Sequence, residues 1–142
     1  MSAADSTGGA IIYSGENRMK KWILIADDDS VICGGLSEAL KDEGYETVTA
    51  ENGEDALELL KARRFDLLLL DLKMPRINGF EVLKKLEDEK MAIKTVVLTG
   101  NLLGNSLSDE HYRILGLASN VMTKPFDMEE LMLNIKSCLE QA

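Results

Sequence analysis

Carboxylates stand directly after two apolar segments of this chain. Residues 27–29, all aspartates, follow the apolar run 22–26, and Asp71 follows the four leucines 67–70. An isolated carboxylate at the end of a buried segment is costly to desolvate unless a charged group meets it. Two carboxylates about 5 Å apart repel each other by roughly 3 kcal/mol at an effective dielectric constant of about 20. Converging carboxylates would therefore need protons or a cation, and a hard divalent ion such as Mg2+ suits oxygen ligands.

Two later apolar runs end in polar residues that could hold a phosphoryl group. Thr99 follows the run 93–98, and Lys124 follows the run 120–123. A hydroxyl and an ammonium group opposite a metal-bound carboxylate can hold the oxygens of a transferred phosphoryl group. Taken alone, each of these polar residues is explained by a strand end, a helix cap or a solvated turn. Their joint placement favours a single site.

Five strand patterns alternate with five helical patterns and position these residues. Strands are predicted at 22–26, 67–70 and 93–98 from their apolar residues, at 45–50 from alternating β-branched residues, and at 120–123 from a short segment before Lys124. Helices are predicted at 30–43, after a cap at Asn52, at roughly 78–89, from Ser106 or Ser108, and after a cap at Asp127. This alternation predicts an α/β protein with an open, doubly wound parallel sheet. In such sheets the functional crevice lies beyond the carboxyl ends of the strands, where the aspartates, Thr99 and Lys124 fall.

The composition bounds the function classes. The 142 residues are enough for one domain, and the net charge of -9 argues against a nucleic-acid-binding surface. No apolar run reaches membrane-spanning length, and the two cysteines lack disulfide or metal-ligand spacing, so we expect a cytoplasmic protein without a membrane partner. We expect a flexible N-terminal extension over 1–19 and one domain over 20–142. No output domain is predicted, because the chain stops where the fifth helix stops.

The order of four segments carries a family resemblance. ILIADDDS, then DLLLLDLKMPRINGFEVL, VVLTG and VMTKPF resemble the receiver domain of bacterial two-component response regulators, over about residues 20–141. The resemblance implies a flavodoxin-like, five-stranded sheet with strand order 2-1-3-4-5 and five flanking helices. It also implies a signalling phosphoacceptor that catalyses its own phosphorylation and dephosphorylation, and not an enzyme acting on other substrates.

The resemblance assigns expected roles to the acidic residues. Asp71 matches the phosphoacceptor, whose carboxylate attacks the phosphorus of a phosphohistidine on a sensor histidine kinase or a histidine phosphotransfer protein. Asp28 and Asp71 are expected to bind Mg2+, with the backbone carbonyl of Lys73 as a further ligand. Asp27 is expected to act mainly through metal-bound water.

The other two matched residues are expected to hold the phosphoryl group. Thr99 would hydrogen-bond it, and Lys124 would pair with its charge. The Lys124–Pro125 peptide bond is expected to be cis, as it commonly is in the family. Phosphorylation would then switch binding of a partner to the face formed by the fourth helix, the fifth strand and the fifth helix. A phosphorylation-dependent dimer is a further expected assembly.

The sequence departs from the family pattern at three places. Val121 stands three residues before Lys124, where receivers often carry an aromatic residue that changes rotamer on phosphorylation. The segment over 100–109 looks a few residues longer than usual and is expected to form a mobile loop. Lys73 and Asn101, each two positions after a site residue, are expected to influence the lifetime of the phosphoryl group.

Two alternatives stay open on the sequence alone. Residues 27–31, DDDSV, also fit the DxDx[TV] nucleophile motif of haloacid-dehalogenase-like phosphatases, in which Asp27 would form the aspartyl phosphate. That family needs an acidic pair near a late strand, whereas Thr99 is followed by a glycine and an asparagine. The other alternative is a receiver-like scaffold that binds partners without phosphorylation, although none of the family's site residues is missing.

Overall fold

The computed structural model describes residues 20–100 and 107–140. The extension expected over 1–19, residue Asn101 and most of the expected loop at 100–109 lie outside the described residues. In chain order the elements are β1 (Trp22–Ala26), α1 (Ser30–Asp42), β2 (Glu46–Ala50), α2 (Gly53–Ala62), β3 (Leu67–Asp71), α3 (Gly79–Asp88), β4 (Lys94–Thr99), α4 (Asp109–Leu115), β5 (Asn120–Thr123) and α5 (Met128–Glu140). The ten predicted elements are therefore confirmed, with ends that differ by one or two residues.

The five strands form one parallel sheet in the order β2-β1-β3-β4-β5. This confirms the expected doubly wound topology. The central strand β3 is buried at every residue, because β1 and β4 flank it and helices cover both faces of the sheet.

The side-chain alternation of β3 divides the core into two layers. Leu67 and Leu69 point to the layer that α1 and α5 cover, with residues such as Leu36 and Ile135. Leu68 and Leu70 point to the opposite layer, which α2, α3 and α4 cover. Successive strand side chains point to opposite faces, so four consecutive leucines fill both layers.

Polar side chains cap the helices that follow the strands. Asp29, Asn52, Asn78 and Ser108 each accept a hydrogen bond from a backbone N–H of the first turn of α1, α2, α3 and α4, respectively. These bonds satisfy N–H groups that have no partner within the helix. Ser108, one of the two starts predicted for the fourth helix, is the cap, and Ser106 lies outside the described residues. In the described part of the chain, no helix is long and apolar enough to cross a membrane.

The buried strand β3 predicts a large stability loss for a truncated core side chain. Leu69→Ala should lower the free energy of unfolding by about 3 kcal/mol, because Leu69 is 1% exposed and its loss leaves a cavity. Leu133→Ala is the matched control, since Leu133 is 68% exposed, and it should change stability by less than about 0.5 kcal/mol. Urea unfolding of both variants measures the difference. Equal losses would contradict this assignment of the core.

Candidate functional site

The register of the sheet gathers three aspartates at one edge. Ala26 at the end of β1 pairs with Leu70, so Asp27, which follows β1, lies beside Asp71 at the end of β3. Carboxylate oxygens of Asp27, Asp28 and Asp71 all lie within 4.8 Å of one another. Asp27 and Asp71 are buried, at 2% and 6% exposure, whereas Asp28 is exposed. The sequence-predicted carboxylates therefore form one cluster that is open to solvent on the side of Asp28.

Lys124 supplies positive charge to this cluster. Its Nζ lies 3.0 Å from Oδ2 of Asp27 and 3.6 Å from Oδ2 of Asp71. Its backbone N–H donates to the carbonyl of Thr99 at 2.7 Å, and the Lys124–Pro125 peptide bond is cis, as predicted. Burial by itself lowers the pKa of Lys124, but the hydrogen bond and charge of Asp27 and the charge of Asp71 outweigh it, so the pKa lies above its usual value. The ammonium group therefore stays charged.

The surroundings of Asp71 raise the pKa of its carboxyl group. Burial, followed by the negative charge of Asp27, raises the pKa of Asp71 to about 6. Lys124 and the backbone N–H of Lys73, which lies 3.3 Å from Oδ1 of Asp71, act in the opposite direction. Asp71 is thus mainly ionised at neutral pH, yet its negative charge is poorly compensated by the protein alone.

Besides the hydrogen bond from Lys124, three further hydrogen bonds hold Asp27. Its backbone N–H donates to Ala50 at 3.1 Å, and its Oδ1 accepts from the N–H of Asp29 at 2.9 Å. The Cys33 thiol donates to its carbonyl at 3.2 Å. Burial raises the pKa of Cys33 to about 11, so the thiol keeps its proton and remains a donor. The sequence placed Cys33 on a helix, but no spacing signal linked it to Asp27.

Gly79 packs directly against the backbone of Asp71. The N–H of Gly79 donates to Leu72 at 2.9 Å, and a Cβ at this position would lie 2.5 Å from the Asp71 carbonyl oxygen. Only a glycine leaves room for the start of α3 to approach the end of β3 this closely. The sequence has a glycine directly after Asn78, but only the fold shows that this glycine contacts the backbone of Asp71.

Thr99 opens onto a cleft beside the carboxylates. Thr99 is 4% exposed at the end of β4 and lines a cleft of about 670 Å³ together with Asp28, Lys73, Phe80 and His111. His111 of α4 is half-buried there, with its ring centroid 4.4 Å from that of Phe80 and an interplanar angle of 40°.

The cluster fits a hard divalent cation. All three acidic groups offer carboxylate oxygens, two of them are buried, and burial followed by the negative charge of Asp27 raises the pKa of Asp71. Mg2+ prefers such oxygen ligands and keeps several water molecules. The carboxylates of Asp27, Asp28 and Asp71 are therefore the residues that could hold Mg2+.

Comparison with known sequences gives a consistent assignment. The family model described as response regulator receiver domain matches residues 23–136. The alkaline phosphatase synthesis transcriptional regulatory protein PhoP of Bacillus subtilis is 34% identical over 127 residues, which are 87% of this chain and 50% of that protein. The transcriptional regulatory protein CrdR of Helicobacter pylori is 36% identical over 118 residues, 83% of this chain and 54% of that protein. The chain thus spans about half the length of these relatives.

Comparison with solved structures agrees with the sequence matches. The response regulator protein TrrA of Thermotoga maritima, in complex with Mg2+ and BeF, is 37% identical with a TM-score of 0.72, and the match covers 84% of this chain and 99% of that one. A CheY-like response regulator receiver domain protein of Methanospirillum hungatei is 31% identical with a TM-score of 0.75, covering 86% and 95% of the two chains.

The raised pKa of Asp71 predicts that removing its charge stabilises the metal-free protein. Folded Asp71 holds its proton up to about pH 6, whereas an unfolded aspartate releases it near about pH 3.9, so folding stability falls as pH rises between these values. Asp71→Asn should therefore raise the free energy of unfolding at pH 7.5 by about 1 to 3 kcal/mol. The gain should disappear below about pH 4.

Urea unfolding in the presence of a chelator at several pH values measures this effect. Asp29→Asn is the control, since Asp29 is exposed and asparagine caps a helix as well as aspartate does. A destabilised Asp71→Asn protein at pH 7.5 would contradict the prediction.

Proposed function

The chain belongs to the response regulator receiver domain family, which works in two-component phosphorelay signalling, and from this premise we propose that Asp71 is its phosphoacceptor. The observation that carries the proposal is the position of Asp71, which is buried at the sheet edge beside Asp27 and Asp28 and 3.6 Å from the ammonium of Lys124. A carboxylate in this setting is ionised at neutral pH and is weakly compensated. It is therefore available as a nucleophile.

The donor is a phosphohistidine on a sensor histidine kinase or a histidine phosphotransfer protein. A carboxylate oxygen of Asp71 forms a bond to phosphorus while the phosphorus–nitrogen bond breaks, and that bond's electron pair returns to the imidazole of the donor. The product is an acyl phosphate on Asp71. The receiver itself supplies the residues that catalyse this transfer and the later hydrolysis.

Mg2+ is the cofactor that we propose for this site. When bound, it neutralises the accumulating negative charge of the carboxylates and the phosphoryl group. Asp28 and Asp71 would hold it directly, Asp27 would contribute mainly through water, and the backbone carbonyl of Lys73 would add a ligand. The exposed position of Asp28 leaves room for retained water molecules.

Thr99 and Lys124 hold the transferred group. Lys124 Nζ already lies near Oδ2 of Asp71, so it can pair with a phosphoryl oxygen after a small movement. Thr99 ends the neighbouring strand β4 and lines the same cleft as Lys73. From there its hydroxyl can donate to another phosphoryl oxygen. Both groups would bias the site towards a second arrangement when the phosphoryl group is present.

The experiment that tests the phosphoacceptor is intact mass spectrometry after incubation with acetyl phosphate and Mg2+. The wild-type protein should gain one phosphoryl group, the gain should require Mg2+, and Asp71→Asn should abolish it because the nucleophile is gone. Asp29→Asn is the matched control and should be phosphorylated normally, since Asp29 only caps α1.

The same experiment separates the alternatives. An adduct that survives Asp71→Asn and is lost in Asp27→Asn would point to a phosphatase-like nucleophile. The wild-type protein could also gain no phosphoryl group and bind no beryllofluoride in the presence of Mg2+. That result would favour the scaffold that binds partners without phosphorylation.

The output surface that we propose is the face formed by α4, β5 and α5. Three large apolar side chains are exposed in this region, Tyr112 at 60%, Leu117 at 43% and Leu133 at 68%. Val121 lies partly buried in β5 between these helices and is too small for the large rotamer change of an aromatic residue. The face would therefore respond through shifts of the backbone and of α4.

Self-association gives a direct test of this face. With Mg2+ and beryllofluoride, sedimentation velocity should reveal a dimer that Leu133→Asp disrupts, because a charge would replace an exposed apolar contact. Val31→Asp is the control, since Val31 is 82% exposed on α1, outside the proposed face. Equal loss of the dimer in both variants would contradict the proposed dimer face. A wild-type protein that stays monomeric would contradict dimer formation itself.

A further inference from the structure

The segment between β3 and α3 has an unusual backbone that needs an external support. It runs from Leu72 to Asn78 and contains Lys73, whose carbonyl is the proposed metal ligand. Arg76 in this segment has φ of 68°, a left-handed conformation that non-glycine residues seldom adopt. Such a conformation persists only where the surroundings impose it.

The start of α2 supplies a close backbone contact to this segment. Gly53, the first residue of α2, is buried against Ile77, and a Cβ on Gly53 would lie 1.8 Å from the Ile77 carbonyl oxygen and 2.7 Å from the carbonyl carbon. The obstacle is backbone, which cannot rotate away as a flexible side chain can. Any larger residue at position 53 must push the segment or move α2.

The need for glycine at this position is one of space and not of backbone conformation. Among the described residues, Gly44 is the glycine with a positive φ, whereas Gly53 lies in an ordinary helical turn. An alanine could therefore adopt the backbone angles of Gly53 without strain. What it could not do is keep the distance to Ile77.

A second contact orients the neighbouring residue. Nη1 of Arg76 lies 2.8 Å from Oε1 of Glu54, so two consecutive residues of α2 contact two consecutive residues of the segment. Both side chains of this ion pair are largely exposed, and solvent screening weakens such pairs. The close approach of Gly53 to Ile77 is therefore the stronger constraint, and the ion pair orients the Arg76 side chain.

The same segment is held at its other end by Gly79. The N–H of Gly79 donates to Leu72, and a Cβ there would meet the Asp71 carbonyl at 2.5 Å. Displacement at Ile77 therefore cannot be absorbed freely towards α3. It would be passed back along the chain to Lys73, whereas Asp71 is held in the sheet by its pairing with Leu98.

We infer that Gly53 is a positioning residue for the metal site, which holds the segment 72–78 so that Lys73 stays beside Asp71, to whose Oδ1 its N–H donates. Gly53 touches neither the cation nor the phosphoryl group and acts through Ile77. The inference rests on the proposed function, because it concerns the Mg2+ site of that function.

Titration with MgCl2 of the folded, unphosphorylated protein tests the inference. Gly53→Ala should weaken Mg2+ binding by about tenfold, the range found for residues that orient metal ligands. Gly35→Ala is the matched control, since Gly35 is an exposed helical glycine with nothing within 4 Å of an added Cβ, and it should bind Mg2+ normally. Amide hydrogen exchange over 72–78 should also become faster in Gly53→Ala alone.

Phosphorylation by acetyl phosphate gives a second readout. The half-saturating Mg2+ concentration should rise by about tenfold in Gly53→Ala. The rate at saturating Mg2+ should stay within about twofold of the wild-type rate, because the nucleophile is unchanged. A purely structural role would lower the melting temperature and leave both Mg2+ measurements unchanged below it.

A second variant covers the case in which Gly53→Ala does not fold. Combining it with Arg76→Gly gives the segment a residue that accepts positive φ and lets it move aside. The inference would be overturned if Gly53→Ala folds and binds Mg2+ with the wild-type affinity. It would also be overturned if the double variant folds and its Mg2+ affinity equals that of Arg76→Gly alone. A wild-type protein that binds no Mg2+ and takes no phosphoryl group would instead overturn the proposed function.

Discussion

The structure depends on the balance of charge at the carboxyl end of its parallel sheet. Two carboxylates, Asp27 and Asp71, are buried at the ends of neighbouring strands, and one ammonium group, from Lys124, lies within 4 Å of both. The pKa of Asp71 is raised to about 6, which means that the protein alone does not offset this negative charge. The fold therefore holds a site that would gain stability from added positive charge, which is the role proposed for Mg2+.

Such a site works only if the backbone around it is stiff. The helix starts supply the stiffness, because α2 and α3 both begin with a glycine in contact with another backbone segment. Gly79 fixes the end of β3, and Gly53 fixes the segment that leaves it. The end of β3 and the segment after it are therefore held by main-chain packing.

The sequence predicts the strands and the grouping of the site residues, since apolar runs mark the strands and parallel strands bring their carboxyl ends to one edge. It predicts β1 and β5 with their observed bounds. It is wrong by one residue where the last residue of a strand also begins the turn, as at Asp71. It does not predict the contacts of Gly53, Gly79 and Cys33. Each of these joins segments whose approach is decided by the packing of the whole sheet and not by local spacing.

Among the described residues, α4 is the shortest helix. It has seven residues, of which Ile114 and Leu115 are buried, whereas α5 is anchored by Leu131 and Ile135 at 0% exposure. The ring of His111 contacts the Phe80 ring of α3 at an interplanar angle of 40°, and Arg113 forms an exposed ion pair with Glu87. Exposed ion pairs are screened by solvent, so this pair adds little to the anchoring of α4. With Val121 in place of an aromatic side chain, a shift of α4 is the response that we propose for this face.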